Sequence, residues 1–416
     1  MPSLQPVPGG SVTSPQGFLA GAVHAGLKDG GELDLALLVS QTPCSAAGVF
    51  TQNRVRAAPV VYDEGLLNER PGRLRGVVMN ARVANACTGE PGLAAAGAMA
   101  RAAESALQVP ARSVLVLSTG VIGVPLPMDL VTNGIAAAAP LVSAKGGADA
   151  ARAIMTTDTQ PKHLAVRVET AGGMVTVGGI AKGAGMIHPN MATMLAILTT
   201  DAMVDVSHLH DLLRRVTDRT FNAISVDGDT STNDTVLLLA NGASEVALAR
   251  DVEGGRAFDE AVLHVARELA LMIVRDGEGA TRFVEIVVAG ASTEALARDI
   301  GRAIARSSLV KTAIAGGDPN WGRILAAAGA SGLPIVPERL GLAVQRRAEG
   351  GGPAGEWLLL ARGSTPAVYD EAAAREVFAG PALIIRLELG MGGAEATVWT
   401  CDLSEQYVRV NAHYRS

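Results

Sequence analysis

A mixed α/β fold in two or three domains is what this sequence predicts, and three observations carry the prediction. A chain of 416 residues is too long for one ordinary core at about 150 residues per domain. Short apolar or alternating runs bounded by Gly, Asn or Ser recur along it and read as strands. Alanine-rich stretches lie between them and read as helices. Hydrophobic residues make up 48% and charged residues 18%, as in a folded globular chain. Aromatics are only 3%, so the core has to be built from Ala, Val, Leu and Ile.

In chain order the expected strands are "LDLALLVS" (33–40), "LRGVVMN" (74–80), "SVLVLSTG" (113–120), "HLAVRVET" (163–170), "GMVTVGGI" (173–180), "DTVLLLAN" (234–241) and "RFVEIVVAG" (282–290). The expected helices are 92–108, 141–157, 259–277 and 293–314. In the third, Val262, Val265, Leu269 and Met272 fall on one helical face. The apolar run after Thr193 reads as a further buried strand. A shift near 285–295 suggests a domain boundary, and the glycine-rich, charged "QRRAEGGGPAGEW" (345–357) reads as an exposed hairpin loop. There is no clean βαβ period, no dinucleotide fingerprint and no internal repeat.

Composition excludes several functions. A net charge of −6 with no Lys/Arg run argues against nonspecific nucleic-acid binding, which needs basic surface to displace counterions. Cys44, Cys87 and Cys401 are far apart and include no CxxC pair, against a disulfide framework or a structural zinc site. The opening "MPSLQPVPGGSVTSPQGF" has neither a basic start nor an apolar core, so no secretory signal is expected. No run of about 18 apolar residues occurs to span a bilayer. The expectation is a soluble, cytoplasmic protein.

The motifs divide into those that fail and those that stay open. No GxxxxGK[ST] and no HExxH is present, and the seven histidines are scattered. His188, beside a proline, reads as structural. "DGDTSTND" (227–234) imitates a calcium loop, but the sixth and twelfth positions hold Thr232 and Leu238 instead of Gly and Glu. It reads as a polar turn that could shape a site wall. "LSTGVIG" (117–123) is either an ordinary turn or an oxyanion site, where a hydroxyl and an N–H are exposed beside a glycine. "MTTDTQPK" (155–162) is a helix end rich in hydroxyls, and "RDGEGAT" (275–281) presents Glu278 on a turn, where a carboxylate could take an ammonium group.

In "KGAGMIHPNMATMLAILTTDA" (182–202), a loop of Gly and Pro leads through Ala192 to Thr193. A threonine hydroxyl is a weak nucleophile unless a base activates it. A first-residue threonine can use its own α-amine, whose pKa of about 7.7–8.0 lets it cycle a proton near neutrality. That chemistry requires the chain to cut itself at Ala192–Thr193.

This stretch resembles the processing-site signature of the ornithine acetyltransferase family, also called the arginine biosynthesis bifunctional or glutamate N-acetyltransferase family. "FTQNRVRAAPV" (50–60), "NACTGE" (85–90), "STGVIGVPLPM" (118–128), "IMTTDTQPK" (154–162), "SVDGDTSTNDT" (225–235), "RDGEGATRF" (275–283), "SSLVKTAI" (307–314), "GGDPNWGRI" (316–324) and "DLSEQYVRVNAHYRS" (402–416) resemble it too, in the family's order, from about residue 10 to the end. The resemblance implies an αββα sandwich of the self-processing aminopeptidase/ornithine acetyltransferase type over 1–285, a smaller C-terminal α/β domain over 286–405, and a tail, 406–416, returning to the substrate site. It implies cleavage at Ala192–Thr193 into an α chain (1–192) and a β chain (193–416), assembled as α2β2. Thr193 is then both cleavage nucleophile and acetyl acceptor, with Thr119 and Gly120 as the oxyanion site. Thr156, Lys182, Thr193, Glu278, Asn411 and Ser416 match the substrate-binding positions, with Thr157 a neighbouring alternative to Thr156.

The reaction so implied moves acetyl from N2-acetylornithine to glutamate by a ping-pong route without metal or organic cofactor. Family members differ in whether acetyl-CoA also serves as donor, and no motif here decides it. The related self-processing amidase/aminopeptidase reaction, with water as acceptor, is the alternative. A scaffold that keeps the fold without processing is disfavoured, because every motif position the chemistry needs is filled. One departure stands out: the family's Asn-x-Gly-x-Ala-Asn-Ala loop reads "NARVANACTG" here, with Arg82 and Val83 where a glycine and a small polar residue are usual. If that glycine normally takes positive φ, either Arg82 is strained or the loop adopts another shape.

Overall fold

The computed structural model describes residues 3–170, 172–188, 194–248, 253–348 and 351–413. They form two compact units. The first is drawn from Met1–Gly183, Asn190–Phe221 and Thr230–Ile273, and the second from Ala184–Pro189, Asn222–Asp229 and Val274–Ser416.

The first unit is built on β1 (Leu4–Pro6), β2 (Phe18–Val23), β3 (Leu35–Phe50), β4 (Leu74–Asn80), β5 (Val114–Ser118), β6 (Lys162–Thr170), β7 (Gly173–Lys182), β8 (Leu195–Thr200) and the strand Thr235–Ala240. β3 belongs to two pairing sets. Its first part, Leu35–Ser40, lies between β2 and β4, and β4 continues in parallel to β5. Its last part, Ser45–Phe50, pairs with Thr235–Ala240, which leads through β8 and β7 to β6 and β1. The register breaks between Val39 and Cys44, around the exposed Gln41-Thr42-Pro43.

Strand alternation sorts the apolar side chains into layers. Ala36, Leu38, Val77, Met79, Leu115 and Leu117 from one set meet Ile180, Leu195, Ile197, Leu237 and Leu239 from the other in a single buried cluster. The opposite faces of the first set, Leu35, Leu37, Val78, Val114 and Val116, pack on Met99 and Ala103 of α2 (Gly89–Leu107) and Val131 and Ile135 of α3 (Met128–Ala138). α1 (Ala58–Glu69) packs beside α2 on β5, and α4 (Gly147–Ala153) against β2, β3 and β7. On the second set's other face lie α5 (Val206–Arg219), against β3, and α6 (Glu253–Arg275), whose Leu269 and Val265 sit over Gly179 of β7. The layers are therefore helix, sheet, sheet, helix: the αββα sandwich.

The second unit holds a seven-stranded sheet in the order Ile224–Ser225, Ala394–Cys401, Phe283–Ala291, Ala382–Glu388, Gly341–Arg347, Pro353–Arg362, Thr365–Pro366. Its core joins Val284, Ile286 and Val288 to Ile300 and Ile304 of α7 (Glu294–Ala305), Ile314 of α8 (Ser308–Ala315), Ile324 of α9 (Trp321–Gly329) and Phe378 of α10 (Glu371–Ala379). The last helix is α11 (Glu405–Ala412).

Several expectations change. The boundary expected at 285/286 falls inside Phe283–Ala291, which pairs along both edges within the second sheet, so the units divide at 273/274. The helix expected over 141–157 shrinks to α4, preceded by the turn Ala139–Leu141, because Gly146 and Gly147 interrupt it. The helix expected over 293–314 is two, since Ser307 accepts a hydrogen bond from the Val310 N–H and caps a new start. Gln345–Arg347 and Pro353–Trp357 of the expected loop are strand. Among the described residues no helix is long and apolar enough to cross a membrane.

Gly179 tests the packing of α6 on the sheet. A Cβ there would meet Leu269 Cδ1 at 2.8 Å and Leu198 Cδ2 at 2.9 Å. Gly179→Val is expected to lower stability by about 1–3 kcal/mol through overpacking, read as a lower urea midpoint at unchanged m-value.

Candidate active site

The first unit gathers its candidate chemistry along one cross-strand row. Lys182 faces Leu195, Leu195 faces Thr235, and Thr235 faces Phe50, across β7, β8, the strand Thr235–Ala240 and β3. Met194 and Asp234 each precede a member of this row. The Met194 N–H donates to Asp234 Oδ1 at 3.0 Å. Burial pushes the Asp234 carboxyl well above the usual range, against the opposing pull of this hydrogen bond and of the Lys182 charge. Among the described residues, its Oδ2 is buried without a hydrogen-bond partner.

Lys182, the last residue of β7, is only 2% exposed. Its ammonium donates to Thr156 Oγ1 at 2.7 Å and to Thr119 Oγ1 at 3.4 Å. Behind it lies Asp158, in the connection between α4 and β6. Asp158 Oδ1 accepts from Lys162 Nζ at 2.7 Å and from the Gly183 N–H at 2.7 Å, and Oδ2 accepts from the Thr156 N–H at 3.0 Å. Lys182 Nζ stands 3.9 Å from Oδ2. Burial pushes the Asp158 carboxyl up, but the Lys182 and Lys162 ammoniums and the hydrogen bonds from Lys162 and Thr156 bring it down to about 2. The result is a buried group of two ammoniums, one carboxylate and two hydroxyls.

Thr119 and Gly120 leave the end of β5. The Thr119 N–H donates to Asn80 O, and the Val121 N–H to Arg82 O. Gly120 has φ +130°, and a Cβ there would lie 2.1 Å from the Arg82 carbonyl carbon, so only glycine fits. Arg82 itself has φ 78°. The loop thus keeps a left-handed residue at that point with a bulky side chain on it, and Asn233 Nδ2 steadies it by donating to Ala84 O and Ser118 O.

The second unit holds a separate group. Glu278, 9% exposed, donates its N–H to Ala184 O and accepts at Oε2 from Asn411 Nδ2 at 2.6 Å. Gly185 lies against its carboxylate, where a Cβ would come within 2.4 Å. α11 docks beside it: Ser404 Oγ donates to Gly279 O, and Tyr407 OH to Asp227 Oδ2 at 3.1 Å. Asp227 Oδ1 also accepts from the Ile187 N–H at 2.9 Å, and burial raises its carboxyl. His188 Nδ1 lies 3.1 Å from Ser225 Oγ. Burial, followed by the charges of Arg302 and Arg306, lowers its imidazole to about 4.

The structure therefore brings Thr119, Thr156 and Lys182 together with Gly120 alongside, and joins Glu278 to Asn411. Ala192, Thr193 and Ser416 lie outside the described residues. Glu278 is buried rather than a solvated loop tip, since Gly185 and α11 close over it. Sequence reading missed Asp158, Lys162 and Asp234 as partners of the site, although Asp158 and Lys162 stand four residues apart within "MTTDTQPK". The "FTQN" stretch lines a different cavity, of about 490 Å³, with Arg54, Arg56, His210 and Arg214.

The αββα fold carries a buried cluster of ammonium, carboxylate and hydroxyl groups in the first unit, and the second unit carries the Glu278–Asn411 pair. The ArgJ family model matches residues 19–416. The arginine biosynthesis bifunctional protein ArgJ of Symbiobacterium thermophilum is 50% identical over 413 residues, covering 98% of this chain and 99% of that protein. The protein of the same name from Dehalococcoides mccartyi is 45% identical over 415 residues, covering 99% of each. The crystal structure of ornithine acetyltransferase from Mycobacterium tuberculosis, complexed with ornithine, is 40% identical over 46% of this chain and all of that one (100%), with a TM-score of 0.42. The chain belongs to the ArgJ family, and it is an acyltransferase of arginine biosynthesis.

Asp158 gives the site a pH signature. A carboxyl depressed to about 2 contributes stability that is present above its unfolded value near 3.9 and is lost as pH falls through about 2. The parent protein is expected to lose about 2 kcal/mol from this group between pH 4 and pH 2. Asp158→Asn lacks that component, so chemical denaturation of both proteins across this range should show the two curves converging at the acid end.

Proposed function

We propose that the chain cuts itself between Ala192 and Thr193, and that the new N-terminal Thr193 then carries acetyl from N2-acetylornithine to glutamate. The observation that carries this reading is the row Lys182–Leu195–Thr235, with Met194 held by Asp234. Thr193 is bonded to Met194, and the next residue, Leu195, opposes Lys182 across β7 and β8.

The chemistry follows from the residue types. The Thr193 hydroxyl attacks the acetyl carbonyl while its α-amine takes the hydroxyl proton. Thr119 and the Gly120 N–H stabilise the oxyanion. As the C–N bond breaks, the α-amine returns the proton to N2 of the departing ornithine, leaving acetyl as an ester on Thr193. Glutamate's amine attacks that ester and gives its proton to the same α-amine, which returns it to Thr193 Oγ as the acyl C–O bond breaks, releasing N-acetylglutamate and the free Thr193 hydroxyl. Lys182 pairs with a substrate carboxylate, with Thr156 beside it, and Glu278 with ornithine's side-chain ammonium, steadied by Asn411 and by Ser416 in the tail. The amine and hydroxyl suffice for each step, so the reading includes no metal or organic cofactor. On the same reading the enzyme is a cytoplasmic α2β2 assembly, and acetyl-CoA is the further donor to assay.

Denaturing mass spectrometry of the purified protein should give two chains, the second beginning at Thr193. A single intact chain with full transfer activity overturns the mechanism. Thr193→Ala should remain uncut and inactive. Acetylglutamate should accumulate from acetylornithine and glutamate in step with ornithine, whereas free acetate in its place identifies water as the acceptor. Glu278→Gln should raise KM for acetylornithine about 30-fold or more, because it removes one partner of a desolvated ion pair.

A further inference from the structure

The cavity of about 490 Å³ beside the end of β3 has no place in the chemistry above, and its lining is at odds with the rest of the chain. The protein carries a net charge of −6, yet this lining sets Arg54, Arg56, Arg214 and His210 against one carboxylate, Glu64. That carboxylate is already engaged, since Glu64 Oε2 accepts from Arg56 Nη1 at 2.7 Å. Among the described residues, Arg54 and Arg214 have neither a hydrogen-bond nor an ion-pair partner. The nearest acid on α5, Asp211, has its Oδ1 3.9 Å from His210 Nδ1 and does not line the cavity.

The cations are set in place by separate elements. Arg54 and Arg56 stand on the loop after β3, which hydrogen bonds fix at both ends. The Thr51 N–H donates to Asp234 O at 3.0 Å and Thr51 Oγ1 to Ser231 O at 2.7 Å. Asn53 Nδ2 donates to Thr230 O at 3.2 Å, and the Ala57 N–H to Thr232 O at 2.9 Å. His210 and Arg214 come from α5, four residues apart and exposed, while Leu209, Leu212, Leu213 and Val216 bury the helix against the unit. Guanidiniums gathered this way repel one another, and an anion among them relieves that repulsion. Because loop and helix are already fixed, little ordering is left for a ligand to impose.

We propose that this cavity binds a small molecule carrying two or more linked phosphate groups, with Arg54 and Arg214 meeting the phosphate oxygens and His210 adding a ring N–H. The planar guanidinium fork matches phosphate geometry, and two forks on separate elements suit an anion charged at more than one point. The volume lies in the range of small-molecule pockets, and the partly buried Phe50 adds apolar lining for an organic portion.

Isothermal titration calorimetry of the purified protein with pyrophosphate, ADP and citrate tests this at about 0.15 M salt, where distant exposed charges are screened. The parent is expected to bind pyrophosphate or ADP at one site per chain with a Kd below about 100 µM, and citrate more weakly. Arg54→Gln/Arg214→Gln should weaken the binding about tenfold or more, through lost charge-assisted hydrogen bonds. Arg362→Gln/Arg375→Gln makes the same change in net charge on exposed arginines of the second unit and should leave Kd within about twofold. All four side chains are exposed, so thermal unfolding without ligand should be unchanged. If the Arg54/Arg214 double variant does not fold, the two single variants decide, each expected to weaken binding about threefold or more. ADP binding tighter than pyrophosphate supports the proposal with an organic phosphate as ligand, and pyrophosphate binding as tightly or tighter supports it with the diphosphate itself. No binding of either at about 1 mM overturns it. So does citrate binding as tightly as the phosphates, an unchanged Kd in the Arg54 and Arg214 variants, or an equal loss in the Arg362/Arg375 pair.

Discussion

One strand sets the architecture of the first unit. β3 hydrogen-bonds to β2 and β4 over its first part and to Thr235–Ala240 over its last, so two sheets share one backbone. Their facing apolar residues must therefore pack on each other, and their outer faces must be covered by helices. The register of that strand also sets the site. Because Phe50 opposes Thr235, Thr235 opposes Leu195 and Leu195 opposes Lys182, a slip of one residue anywhere in this row would turn Lys182 away from Thr156 and Thr119.

Much of the frame was legible in the sequence. The strand expected at 74–80 is observed as Leu74–Asn80, and those expected at 163–170 and 173–180 differ by a residue or two at their ends. These are apolar runs with sharp boundaries, where pattern and structure agree. α5 is the element not foreseen: "VSHLHDLLRRVTDR" is mostly polar, yet its buried Leu209, Leu212, Leu213 and Val216 stand at the i, i+3, i+4, i+7 spacing of one helix face. In the site, the residues named by motif come together, but their counter-ions were not foreseen. A buried Asp158–Lys162 pair reads in sequence as an ordinary polar turn, because charge alone does not reveal whether water is near.

Charge is distributed with that distinction in mind. The chain carries a net −6, yet several of its ions are fully interior. In the second unit Lys311, 1% exposed, donates to Thr400 Oγ1 at 3.0 Å and to the Cys401 carbonyl. Asp402 accepts from the Thr281 and Arg282 N–H groups. These ions brace backbone, each surrounded by partners. Asp234 differs: among the described residues, its Oδ2 has none of the partners that buried polar atoms ordinarily find.

The course of the chain through its two units has a consequence for assembly. Residues 184–189, before the proposed cut, belong to the second unit, while 194–221 and 230–273, after it, belong to the first. β7 precedes the cut and β8 follows it, and they are hydrogen-bonded neighbours along Val177–Lys182. Cutting the backbone at 192/193 therefore does not create two modules. Neither piece contains the complete core between the two sheets of the sandwich, because that core joins Leu38, Val77 and Ile180 from before the cut to Leu195, Ile197 and Leu237 from after it. A gene split at that point would encode two fragments that form the sandwich only in each other's presence, so fragment complementation is the behaviour this topology dictates for the first unit.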